Sequence, residues 1–211
     1  DAAVSHAIVT LLYKQLPQGL IATVVNAALL TYILSDDIAP SVITAWLLVL
    51  FSVCAVRFAL VLAFRNDPEQ AKNSTNWRNY FYCTAAVTAT LWGIAGVALF
   101  PSGSMHYQAF VGFVLAGMAA GASGSMSSDD KIYRFYVFAA ITPYMIRLAV
   151  EGTPMTLAMA FMSGIFMIGM ALASRANAQA ARESMTLRFA NIDLAHRLEA
   201  TVGSLQKTNE A

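Results

Sequence analysis

Apolar residues gather into six runs, each close to the roughly 20 residues that carry a helix across about 30 Å of hydrocarbon. That pattern leaves few folds open. In lipid every backbone N–H and C=O must bond inside its own segment or in a closed barrel, and long unalternating runs predict helices. The first run extends from Pro17 to Ser35 and exits at Asp36 and Asp37. The second opens on Pro40, a good first helical residue because its missing N–H is not needed there, and ends near Phe64. The others cover Phe81 to Phe100, Tyr107 to Gly124, Phe135 to Val150 and Met155 to Ser174. Charged residues make up only 12% of the chain against 58% hydrophobic, about half the charge of a soluble domain. The expected fold is all-α: an integral membrane bundle of six transmembrane helices over residues 1–174. Residues 175–211 follow as a cytoplasmic signalling and dimerisation helix. No cleavable signal peptide is evident, since five more runs follow the first. The chain opens at Asp1 and stops at Ala211 in mid-helix, which reads as part of something longer.

Lysine and arginine set the expected orientation. One side carries Lys14, Arg65, Lys72, Arg78, Lys131, Arg134, Arg175, Arg182, Arg188, Arg197 and Lys207, and the opposite loops carry none. Positive residues stay inside, so both termini are expected in the cytoplasm.

After Ser174 the composition turns polar, yet residues 175–202 contain neither Pro nor Gly. Leu187, Asn191, Leu194, Leu198, Thr201, Leu205 and Thr208 alternate at steps of four and three. That is a heptad seam with Asn191 at an a position, which costs stability and favours two parallel strands. It predicts a homodimer, with a monomeric amphipathic tail as the simpler alternative. Residues 176–205, if helical, reach about 45 Å beyond the membrane.

Residues that could carry chemistry are few. No Asp or Glu sits in mid-run, whereas coupled transporters and pumps usually keep an intramembrane ionisable group. His6, His106 and His196 lie far apart, which argues against haem or zinc. Cys54 and Cys83 read as buried small hydrophobes. No nucleophile–base pair, phosphate loop or metal spacing is present, so no catalytic residue, cofactor, metal or nucleic-acid partner is expected of this segment.

Arg57 reads most simply as a snorkelling side chain, and more sharply as a partner for a lipid or ligand head group. Arg147 and Glu151 share a helix face near the outer end of the fifth run, as a structural ion pair or part of a ligand site. Gly112, Ala116, Ala120 and Gly124 recur at steps of four, with Gly117 and Gly121 one position along. Small residues so spaced let helices pack closely in lipid, within one subunit or across a dimer. Pro143 predicts a kink in the fifth run. Trp92, Tyr144, Met155, Met159, Met162 and Met167 are candidates to line a cavity nearby, though apolar packing is the simpler role.

Several phrases, in order, resemble a known class: LLYKQLP (Leu11 to Pro17), WRNYF (Trp77 to Phe81), LWGIAGVALFP (Leu91 to Pro101), LAGMAAGAS (Leu115 to Ser123), ITPYMIRLAVEG (Ile141 to Gly152) and LRFANIDLAHRLE (Leu187 to Glu199). The chain resembles the N-terminal six-helix membrane sensor regions of bacterial signalling proteins. Those regions precede diguanylate cyclase (GGDEF, often GGDEF–EAL) or histidine kinase domains. Ala190 stands where such proteins often have Glu. The resemblance implies a dimeric sensor in the bacterial inner membrane, whose last span drives a cytoplasmic helix. The ending LQKTNEA favours a cyclase continuation over a kinase. The external loops are short, residues 36–39, 101–106 and 151–154, so a small apolar or amphiphilic ligand is expected to enter between helices among membrane lipids. The expected pocket lies near Trp92, Tyr144, Arg147 and Glu151. The expected dimer contacts are Leu187, Asn191, Leu194, Leu198 and Leu205. The alternatives are a small transporter or channel, and a passive dimerising anchor.

Overall fold

The computed structural model describes residues 2–126 and 129–209, with the side chains of 2–5, 182, 185 and 188–209 outside the description. The described residues form six helices and no strand: α1 (Ala2–Leu34), α2 (Pro40–Asn66), α3 (Ser74–Ala98), α4 (Met105–Ser125), α5 (Asp130–Glu151) and α6 (Pro154–Asn209). Five helical segments are long and apolar enough to cross a membrane: His6–Leu34, Pro40–Asn66, Ser74–Ala98, Met105–Ser125 and Pro154–Ala181. They mark a multi-pass membrane protein. Large apolar side chains such as Ile21, Phe113, Phe161 and Ile168 point outward, where a bilayer would cover them.

α5 falls short of that apolarity because Asp130, Lys131, Arg134, Arg147 and Glu151 stand toward its ends. It is nonetheless central. Its most extensive contacts are with α3 and α6, and it buries Tyr133, Tyr136, Val137, Ala140, Ile141, Tyr144 and Leu148. A helix held among others meets less lipid and needs less apolar surface.

Helix ends follow local chemistry. Asp129 caps α5 by accepting the Lys131 N–H at 3.2 Å, and Gly152 ends it in the left-handed region at φ 74°. Thr153 then caps α6, its hydroxyl accepting the Thr156 N–H at 3.2 Å, with Pro154 in the first helical position.

Two expectations change here. α1 begins well before Pro17, which lies inside the helix. Val9, Leu12, Tyr13, Leu16 and Leu20 recur on one face and are buried. Tyr13 stacks on Phe64 at 4.4 Å and donates to the Trp77 carbonyl at 3.0 Å, tying this early part of α1 to α2 and α3. Cys83 is exposed on α3, and Cys54 is half-buried, so neither is the fully buried residue expected. Pro143 lies within an uninterrupted α5.

α6 continues without a break from Pro154 to Asn209, 56 residues, or roughly 84 Å. Leu187 is exposed on it. Asn191, Leu194, Leu198 and Leu205 lie on this helix, but their side chains, and any seam they form, are outside the described residues.

Candidate functional site

None of the cavities found among the described residues is lined by all four residues expected to share a pocket. Trp92 is fully buried and packs edge-on against Trp46 at 5.4 Å. Its indole N–H has no partner. Tyr144 is wedged between two glycines. A Cβ at Gly96 would stand 2.7 Å from the Tyr144 Cβ, and one at Gly112 would stand 2.6 Å from its hydroxyl. That hydroxyl donates to the Gln108 carbonyl at 2.8 Å. Arg147 pairs with Glu151 at 2.9 Å, donates to Ser102 Oγ at 2.9 Å and lies 4.4 Å from the centre of the Phe100 ring. Arg147 and Tyr144 both pack against the Phe100 ring. The Tyr144 hydroxyl, both terminal nitrogens of Arg147 and one Glu151 oxygen are thus already engaged within the protein.

Tyr144 does line an open apolar groove of about 310 Å³ between α4, α5 and α6, with Ala116, Met159, Met162 and Phe166. Trp92, Arg147 and Glu151 are not among its walls. Met167 instead accepts a hydrogen bond from Thr142, and Met155 is exposed.

The small residues of α4 divide. Gly112 and Ala116 serve the Tyr144 groove. A Cβ at Gly117, Gly121 or Gly124 would meet nothing within 4 Å. Among the described residues of the chain, no neighbouring helix fills the space beside these three Cα atoms. The three glycines form one wall of a second, partly open cavity of about 280 Å³, lined by residues of α1 to α5. Ala120 is exposed on the same helix.

This second cavity contains Arg57, and snorkelling is not what its side chain does. It is 5% exposed and points into the bundle. Nη1 donates to Thr88 Oγ1 at 3.0 Å, and the guanidinium lies 5.7 Å from the centre of the Phe81 ring. Nε has no partner. The ion pairs among the described residues are Lys72–Glu69, Arg134–Asp130 and Arg147–Glu151, and none involves Arg57. A buried ion without a counter-charge costs several kcal/mol. A ring face and one hydroxyl offset only part of that.

The remaining wall is polar on the α1 side. Gln15, Gln18, Thr23 and Asn26 line it. Thr23 and Asn26 spend a donor each on their own helix, at 2.9 Å to Gly19 and 2.9 Å to Ala22. With its nitrogen turned toward α4, the Gln15 amide donates to the Gly124 and Ser125 carbonyls at 2.9 and 3.1 Å. This polar stripe was visible in the sequence and was the signal that could have located the cavity. Its four residues recur at steps of three to five along a largely apolar helix, facing the glycines of α4.

Among the described residues no group of three His, Cys, Asp or Glu could hold a metal ion. No protein-family model, curated protein or solved structure matches the chain.

Proposed function

We propose that this chain is the sensory input and dimerisation module of a bacterial inner-membrane signalling protein. It has six spans with both termini cytoplasmic. It relays a small apolar or amphiphilic signal through α6 to an effector joined beyond it, a diguanylate cyclase (GGDEF or GGDEF–EAL) in preference to a histidine kinase. The observation that carries this reading is the continuity of α6. One 56-residue helix starts with an apolar membrane-length segment, Pro154–Ala181, and keeps going through polar sequence. A shift of α6 inside the bundle therefore reaches its far end without a hinge. α5 serves as the sixth span. Its 22 residues reach about 33 Å, and its charges stand toward the two ends.

A parallel pair of such helices can hold two registers separated by little free energy, so modest differential affinity switches the output. The dimer seam runs through Leu187, Asn191, Leu194, Leu198 and Leu205. In a Cys54→Ser, Cys83→Ser background, Leu194→Cys should form an intermolecular disulfide in membranes. His196→Cys, two positions on, should not. Equal cross-linking at both removes the seam. Replacing residues 1–174 of the full protein by an unrelated dimeric anchor should abolish regulation of its enzymatic output. Unchanged regulation reduces the bundle to an anchor.

A further inference from the structure

We infer that the Arg57 cavity is an anion site that takes a carboxylate or phosphate group, carried by a small amphiphilic acid or by a lipid head group. The inference goes beyond the sensory role and does not need it. It requires only that α1 to α5 pack as they do.

A guanidinium has five N–H donors and no acceptor. Arg57 spends one, on Thr88 Oγ1 at 3.0 Å, and its buried Nε is unpartnered. Thr88 in turn donates to the Thr84 carbonyl at 2.8 Å, so its hydroxyl is fixed as an acceptor toward Arg57. Arg57 lines a cavity in which it is the one charged side chain among the described wall residues. Gln15, Gln18, Asn26 and Ser125 line the same space and add neutral polar groups. Carboxylate and phosphate are the groups whose geometry matches a guanidinium fork.

Size and place narrow the ligand. About 280 Å³ lies just below the usual range of small-molecule pockets, enough for a head group or a short acid. Arg57 stands eight residues before Arg65, in the last turn of α2, or about 12 Å along the axis. The cavity also includes Gly124, Ser125 and Met126, where α4 ends. It therefore lies near one face of the bundle, within reach of an anion entering from that membrane surface. The open glycines are part of the design: Gly117, Gly121 and Gly124 keep clear the space a ligand occupies.

The test is thermal unfolding of the full chain. In neutral detergent, octanoate and inorganic phosphate are titrated, with octanol as the uncharged control. In a second arm, the protein is reconstituted in phosphatidylcholine vesicles with or without phosphatidylglycerol. An anion should raise the Tm of the wild type by several degrees. A rise with octanoate or phosphate in detergent identifies a free acid, and a rise with phosphatidylglycerol alone identifies a lipid head group. Arg57→Met should unfold no lower than the wild type without ligand, and the anion-dependent rise should vanish. Gly121→Leu fills the cavity while leaving the charge in place, and should also lose the rise. It keeps the test decisive if Arg57→Met fails to fold. No rise with any anion, an equal rise with octanol, or an undiminished rise in either variant overturns the site.

Discussion

Ser174 on α6 donates a 2.9 Å hydrogen bond to Asp130, the first residue of α5. Asp130 also pairs with Arg134 at 2.8 Å. The next residue back, Asp129, caps α5 and accepts from the Tyr82 hydroxyl of α3. Three helices are thus latched together at the level where the apolar part of α6 gives way to polar sequence. Asp130→Ala frees both partners at once. It should lower stability by about 1–2 kcal/mol, or roughly 2–8 °C in Tm. Ser174→Ala removes one partner and should cost less. Thermal unfolding of both variants decides, and a larger loss for Ser174→Ala would mean that Asp130 is not the centre of the latch.

The glycines should sort by what surrounds them. A Cβ at Gly93 would run into the Ala139 carbonyl and the Pro143 ring of α5. Pro143 has no N–H, so that carbonyl lacks its usual helical partner and lies open to α3. Gly93→Ala and Gly96→Ala should each cost about 1–3 kcal/mol through forced displacement of α5. Gly117→Ala meets nothing and should be neutral or gain a few tenths, since Ala is the better helix former. Equal losses at positions 93 and 117 would contradict the packing described.

The sequence carried the helical architecture because apolar run length is a one-dimensional property. It also carried the helix start at Pro40 and the short turn at residues 151–154. The early part of α1 was missed because a search for apolar runs overlooks an amphipathic stretch. Val9, Leu12, Tyr13 and Leu16 are spaced for one face only. Sites were less legible, for a definite reason. Tyr144 and Arg147 are near in sequence but are held by Gln108 and Ser102, which approach through tertiary packing. Arg57 read as snorkelling because distance from a helix end says nothing of direction. The turn of the side chain inward follows from Thr88 and Phe81 on the neighbouring helix.

Arg147 ties the segment after α3 to α5. It reaches Ser102, 45 residues away, while sitting on Phe100 and pairing with Glu151. Arg147→Ala should cost about 1–2 kcal/mol, because it loses the ring contact as well as two hydrogen bonds. A double-mutant cycle with Ser102→Ala should return a coupling of about 0.5–1 kcal/mol, measured by thermal unfolding. A coupling near zero would show that the loop is not held by this bond. Arg147→Lys keeps a charge for Glu151 but not the planar fork, so it should recover only part of the loss.

The polar segment between α2 and α3 should respond to acid through Asp67. Trp77 Nε1 donates to Asp67 Oδ2 at 2.7 Å, the Glu69 N–H to Oδ1 at 2.8 Å, and Asn73 Nδ2 to Oδ2 at 3.2 Å. These donors, Trp77 foremost, hold the carboxyl below its ordinary range. A carboxyl whose folded-state pKa is depressed contributes stability that is present above its unfolded value, about 3.9, and is lost as pH falls through the folded one. The Trp77 indole N–H resonance should therefore hold steady from neutral pH to about 5 and titrate with a midpoint below about 3.9. Trp77→Phe removes the strongest donor and should move the Asp67 carboxyl midpoint upward, toward that of a free carboxyl. Asp67→Asn should leave the Trp77 resonance flat across the acid range. A wild-type midpoint at or above the free value would mean that the three donors do not act on the ionised form.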